Sequence, residues 1–584
     1  MYSTKEHSES VVVEGVSRVG TCILIVMLVC GCESTANHES STEKRPSTTH
    51  ETESHDSEYS FTNIAEQQDL HVVSKTGSDK GRYSIVESLG SGIAVLDYDQ
   101  DGDADVFALR GGSFTHEGKP VGLPAVLLEN TNGTFQDVTE EAAIRGPDFY
   151  PHGICVFDHE GDGFPDILVT GFFGCWLYSN QKNKQFRRID PETLGIDQET
   201  FYSSAASGDF NADGIADLFL ATYVDWSAEN NPPCTVQGQL DICPPGQFEG
   251  LPDQVYLGTK SGRFRSANNN FQPNLTGKGL GVIAADFDLD GDTDVYVAND
   301  TTPNALYENN ENEGFTEVGL LSGVSIGLSG LADGSMGVDS ADVDMDGLPD
   351  LWVANYEDES FALYRNMRKL IFQNVSLPMK IGLLRRKYVG FGTAFLDINF
   401  DGYEDIFCTN GHVLLAPKGA PRRQKALLLH NEKGKYFVDV ASSSGRYFSE
   451  SHTGRGAAVA DLDGDGDQDI VVSHADEPIA ILLNDARPEA VIRVKLVGSQ
   501  SHRDAVGAFA TLETSRRKLL RLVKGGGSYL SANEKTLTFC LGEDEHPKSL
   551  SVAWPSGHKN VYTVPAMKSF FEAREGHKNL IRLQ

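Results

Sequence analysis

The sequence predicts an all-β protein: a seven-bladed β-propeller followed by a small C-terminal β domain. Three observations predict it. A nine-residue acidic loop recurs seven times, with start-to-start spacings of 61, 51, 77, 56, 55 and 64 residues. Between these loops a second pattern recurs, of an apolar strand, an Asn, a polar turn and a Phe. The chain also has 59 Gly in 584 residues, with 39% apolar side chains and no helical period between the loops. Turn-rich composition with repeats at this period indicates blades or arrays rather than bundles.

The chain opens with a leader. Thr21 to Val29 reads TCILIVMLV behind Arg18, too short to span a bilayer and suited to a signal h-region. It ends in Val29-Cys30-Gly31-Cys32, which resembles a bacterial lipobox with Cys32 as the lipidated residue; Glu6, Glu9 and Glu14 before it are untypical of such leaders. Residues 1–32 are therefore expected to be a lipoprotein-type signal peptide, with plain secretion as the other reading. Residues 33–60 carry almost no apolar side chain to bury and are expected to be a disordered tether. Glu33 after the lipobox Cys points, by analogy, to the outer membrane.

Residues 61–487 hold the repeats. The hairpin signature runs VLLENTNGTF (Asn130, Phe135), WLYSNQKNKQF (Asn180, Phe186), LYENNENEGF (Asn309, Phe315), LYRNMRKLIF (Asn366, Phe372) and LLHNEKGKYF (Asn431, Phe437). The third repeat has Gly258 in place of Asn. Each repeat thus contains two hairpins, or four strands, and seven such units make a seven-bladed propeller. An open solenoid is the rival arrangement.

The acidic loops read D-x-[DNE]-x-D-G-x-x-D, followed by an apolar run. Oxygen side chains stand at positions 1, 3, 5 and 9. They are Asp97, Asp99, Asp101 and Asp105 in the first loop, and Asp158, Glu160, Asp162 and Asp166 in the second. The third has Asp209, Asn211, Asp213 and Asp217; the fourth, Asp286, Asp288, Asp290 and Asp294. The fifth has Asp342, Asp344, Asp346 and Asp350; the sixth, Asp397, Asn399, Asp401 and Asp405; the seventh, Asp461, Asp463, Asp465 and Asp469. Ca²⁺ takes six to eight oxygen ligands. Four side chains and a backbone carbonyl from position 7 supply most of them, and glycine at position 6 permits the sharp reversal. An EF-hand would need a Glu at position 12; that position holds Ala108, Val169, Leu220, Val297, Val353, Cys408 and Val472. The flanks are strand-like, so these are calcium-binding hairpin loops in expectation. Asn211 and Asn399 each replace an acid, and Glu160 is longer than Asp, so those three loops are expected to differ. An acidic turn without metal is the plain alternative for one loop. Seven in register would crowd 26 carboxylates that need a counter-ion, which couples metal binding to folding.

The 77-residue gap contains PPCTVQGQLDICPPG, where a Cys234–Cys243 disulfide is expected in an oxidising compartment. Lys+Arg is 49 against Asp+Glu 84, a net charge of −35, which disfavours nucleic acid and anionic surfaces. No G-x-S-x-G, H-E-x-x-H or P-loop occurs. Polar clusters follow the apolar run of the later repeats: Asn299-Asp300, Asn355-Tyr356-Glu357, Asn410-Gly411-His412 and Ser473-His474. These offer a ligand-binding ring or, as a plainer role, loop-capping hydrogen bonds. Arg110, Gly171 and Thr222 hold the matching position earlier. His152, His412 and His474 are each expected to be structural.

The loops resemble the FG-GAP/VCBS repeats of integrin α-subunit propellers. Residues 488–584 look like an ASPIC/UnbV domain, on Asp504-Ala505-Val506-Gly507-Ala508, Gly527-Ser528-Tyr529-Leu530-Ser531 and Trp554-Pro555-Ser556-Gly557. Propeller plus this domain is the layout of the cartilage acidic protein family and its bacterial relatives, a resemblance covering residues 61–584. It implies calcium binding and extracytoplasmic interaction. The expected function is a calcium-binding adhesion or scaffolding protein, an outer-membrane lipoprotein or secreted. Its partner would be a protein or glycan, with the membrane reached only through the lipid anchor. An extracytoplasmic enzyme acting on polysaccharide and an accessory factor for another secreted protein are the alternatives.

Overall fold

The structure, a computed structural model, describes residues 59–583 apart from 268–269, 274, 311–312, 385–387, 543 and 566. The leader, Cys32 and nearly all of the tether lie outside the described residues. Asp56–Gln584 forms one compact unit. No helix among the described residues is long and apolar enough to cross a membrane.

The protein is all-β. Seven antiparallel sheets among the described residues share one plan, in which an acidic loop joins the first strand to the second. The first sheet runs Ile93–Leu96, Asp105–Ala108, Val126–Thr131 and Thr134–Asp137. The fifth runs Ser335–Ala341, Asp350–Asn355, Ala362–Asn366 and Phe372–Asn374. The first two strands are wholly buried in both examples, because each sheet is packed on both faces. The first strand of every sheet packs against the first strand of the next, and that of the seventh against that of the first. These strands approach so closely that a Cβ on Gly281 would lie 2.2 Å from the Met336 carbonyl oxygen, and one on Gly337 2.0 Å from that of Phe391. The seventh sheet takes its fourth strand from the other end of the repeat region. Phe61–Asn63 pairs antiparallel with Ala480–Asn484 (Phe61 opposite Asn484).

The C-terminal part builds two further four-stranded sheets. One contains Val491–Val497 paired in parallel with Ser569–Arg574; the other is centred on Phe509–Thr514 and Pro547–Ala553. Between Lys518–Leu522 and Leu537–Cys540 the chain leaves these sheets as a finger and enters the ring of first strands. Gly525 and Gly526 pair with Ala284 and Ile283 of the fourth sheet. Ser528 exchanges both backbone hydrogen bonds with Val338 of the fifth. Its Oγ accepts from the Thr393 N–H of the sixth and donates to the Ala457 carbonyl of the seventh. Ala532 bonds to Ile93 and Val95 of the first, and the Leu530 carbonyl accepts from Ile154 of the second. A Cβ on Gly525 would sit 1.9 Å from the Ser207 carbonyl oxygen of the third. One segment thus touches the innermost strand of all seven sheets. At its tip Tyr529 and Leu530 share a buried cluster with Trp226, Ile242, Cys243 and Phe248. Cys234 and Cys243 form a disulfide in that region.

Candidate metal centres

The acidic loops are built by their own backbone. Position 9 is an anchor in all seven: one oxygen of Asp105, Asp166, Asp217, Asp294, Asp350, Asp405 and Asp469 accepts the N–H of loop position 2. The other accepts an N–H from the third strand, at 2.6–2.8 Å. At position 1, Asp158, Asp209, Asp286, Asp342, Asp397 and Asp461 accept from the glycine N–H at position 6. That glycine has φ between 81° and 111° in every loop, where a β-carbon is opposed. Position 4 is left-handed as well, at Gln100, Gly161, Ala212, Leu289, Met345, Phe400 and Gly464. No residue type marks that position in the sequence.

The turn converges carboxylates. Oxygens within 4.8 Å of one another come from Asp97, Asp99 and Asp101; from Asp286, Asp288 and Asp290; from Asp342, Asp344 and Asp350; and from Asp461, Asp463 and Asp465. These are the four loops with Asp at position 3. Asp346 lies in the fifth loop outside that trio. In the second loop Glu160 is held by the Ser179 hydroxyl at 3.0 Å. Arg503 Nε stands 3.5 Å from Asp158 and Lys182 3.0 Å from Asp162, so side-chain cations already face those acids. In the third and sixth loops Asn211 and Asn399 accept from the N–H of Asp213 and Asp401.

Burial makes these groups poor bare anions. Burial, with Asp290 and Asp288 beside it, pushes Asp286 up to about 7. Burial likewise pushes Asp342 up to about 7, and Asp97 up to about 6 against the opposing pull of Lys495. One oxygen of Asp97 is buried with no hydrogen-bond partner. An all-oxygen, multiply anionic set fits a hard divalent cation such as Ca²⁺, which would replace the protons these acids otherwise take up.

The recurring hairpin Asn joins neighbouring sheets. Asn180 Nδ2 donates to the carbonyl of Tyr98 in the preceding loop and to Pro165 in its own. Asn309 does so to Phe210 and Thr293, Asn366 to Phe287 and Pro349, and Asn431 to Val343 and Glu404. Asn130 joins the seventh sheet to the first, reaching Leu462 of the seventh loop and Ala104 of the first. Asn484 adds a bond to Ile398 that the signature did not mark in the sequence. The third sheet has Gly258 there because a Cβ would lie 2.2 Å from the Ala216 carbonyl oxygen.

The polar clusters after the second strands cap loops. Asn299 accepts from Lys278 N–H and donates to Pro303; Asn355 donates to Ser360; Asn410 donates to Lys425. Asp300 accepts from the Tyr223 hydroxyl. His152 bonds Gly90 O, His412 faces Tyr356 and Glu357, and His474 lies between Tyr447 and Pro478. Each histidine has its own network.

A family model of FG-GAP-like repeats matches residues 97–169, 286–353 and 397–472, and one of ASPIC and UnbV matches residues 498–580. Cartilage acidic protein 1 of Mus musculus is 23% identical over 503 residues, 80% of this chain and 71% of that protein. The Homo sapiens protein is 26% identical over 508 residues, covering 80% and 69%. This chain is an FG-GAP repeat protein related to cartilage acidic protein 1. Its FG-GAP matches contain six of the seven acidic loops. The third, with Gly258 and the Cys234–Cys243 insertion in its repeat, falls outside them. Among solved structures, a lectin of Agrocybe aegerita described as recognising non-reducing terminal N-acetylglucosamine aligns with 68% of this chain and 94% of its own. Its TM-score is 0.39 at 16% identity.

Proposed function

We propose that this chain is an extracytoplasmic binding or scaffolding protein whose seven sheets close into a seven-bladed propeller held together by calcium in its hairpin loops. The observation that carries the reading is the convergence of three carboxylates in each of four loops, with all the oxygens within 4.8 Å. The continuous ring of first strands supports closure, and the terminal strand Phe61–Asn63 fastens it. The disulfide between Cys234 and Cys243 supports an oxidising compartment. Anchoring through Cys32 is part of the proposal.

A ligand has few routes to the axis of such a ring. The finger fills it, and Tyr529 meets the disulfide insertion at one end. At the other end C-terminal side chains reach the acidic loops. Arg493 contacts Asp461 at 2.6 Å, and Arg517 donates to the Asp401 carbonyl at 2.6 Å. The proposed protein or glycan partner therefore engages the outer edges of the sheets. Thermal unfolding with calcium and with a chelator tests the reading. A large fall in melting temperature on chelation supports it, and identical curves refute it.

A further inference from the structure

The seventh loop, like the first and the fourth, carries a fifth aspartate that the repeat pattern does not require. Position 7 is Asp103, Phe164, Ile215, Asp292, Leu348, Tyr403 and Asp467 in the seven loops. Asp103 is partly exposed and accepts the Asn132 N–H at 2.8 Å. Asp467 is 1% exposed, and neither of its carboxylate oxygens has a hydrogen-bond partner.

Its neighbours in the loop are already engaged. Asp469 accepts from Leu462 and Asn484; Asp461 accepts from Gly464, Gly466 and Arg493. Arg493 does not offset the excess charge, because Glu534 shares it at 3.1 Å. A buried carboxylate with no donor is costly. Protonation does not resolve this, since one O–H could donate to a neighbouring carboxylate but would leave the other oxygen without a donor. What satisfies four lone pairs in an acidic pocket is a cation.

We infer that the Asp467 carboxylate is a direct ligand of the divalent cation held by the seventh loop. The ligand set then draws on aspartates 461, 463, 465, 467 and 469; the first and fourth loops also hold five aspartates, but Asp103 in the first is engaged by the Asn132 N–H. This rests on the calcium reading of the loops and goes beyond it, since the pattern assigns position 7 only a backbone carbonyl. Affinity depends on the charge count of the ligands, so removing the Asp467 charge weakens this site.

The test is calorimetric titration of chelator-stripped protein with Ca²⁺, for wild type, Asp467→Asn and the control Asp103→Asn. The expected result is one site weakened about tenfold in D467N, with a smaller calcium-dependent rise in melting temperature, and no change in D103N. Should D467N fail to fold, Asp467→Glu, which keeps the charge but shifts the oxygens, is titrated for the same loss. Wild-type uptake with unaltered affinity and melting in these Asp467 variants overturns the assignment. No uptake by wild type would instead refute the loop reading as a whole.

Discussion

His152 shows how burial writes a pH dependence into one side chain. Its ring is fully buried, stacked between Tyr150 and Phe201, with Nδ1–H donating to the Gly90 carbonyl. Burial lowers its pKa from 6.5 to about 4, with the Gly90 contact opposing. The unfolded chain therefore binds a proton that the folded chain refuses between those values. Stability is full above the unfolded pKa and falls as pH drops from about 6.5 to about 4, by about 3 kcal/mol. Unfolding curves of wild type and His152→Gln across that window should differ by this slope. A second residue-scale prediction concerns the Asn clamps. Asn366→Ala leaves the carbonyls of Phe287 and Pro349 without their donor and should cost about 2–3 kcal/mol, measured by denaturant unfolding.

The finger Lys524–Lys535 is the element whose role is largest and was least legible. Gly525 and Gly526 lie where a side chain would strike the carbonyl oxygens of Ser207 and Val282, at 1.9 and 2.5 Å. Gly525→Val should therefore unseat the finger, lowering stability by about 3 kcal/mol or more and exposing the segment to limited proteolysis. The acidic loops and hairpins could be read because their chemistry is local: an Asp at position 1 and a Gly at position 6 belong to one turn. The recurring Asn was visible as a pattern but its partner was not, since Asn366 and Phe287 lie far apart in sequence. The finger was visible only as Gly527-Ser528-Tyr529-Leu530-Ser531. Nothing within those residues specifies a ring of seven backbones supplied by residues 93 to 459. The second loop was legible as an odd site through Glu160, but Arg503, from a turn between Val491–Val497 and Phe509–Thr514, was not.

At the scale of the molecule, the chain carries a net charge of −35, and 26 of its 84 acidic residues stand at positions 1, 3, 5 and 9 of the acidic loops. Acidic loops, clamping Asn residues and basic side chains of the C-terminal part share one region, so on the proposed calcium reading removing the ions should loosen several contacts at once. Each ion bound at a concentration about a thousandfold above its dissociation constant stabilises the fold by about 4 kcal/mol. Four or more such ions would exceed the ordinary stability of a domain. The most direct measurement is the number of Ca²⁺ ions taken up by metal-stripped protein, counted together with the melting temperature. Uptake of at least four ions, matching the four convergent aspartate sets, with a steep rise in melting temperature, is the result expected. No tight uptake and an unchanged melting temperature would contradict the account.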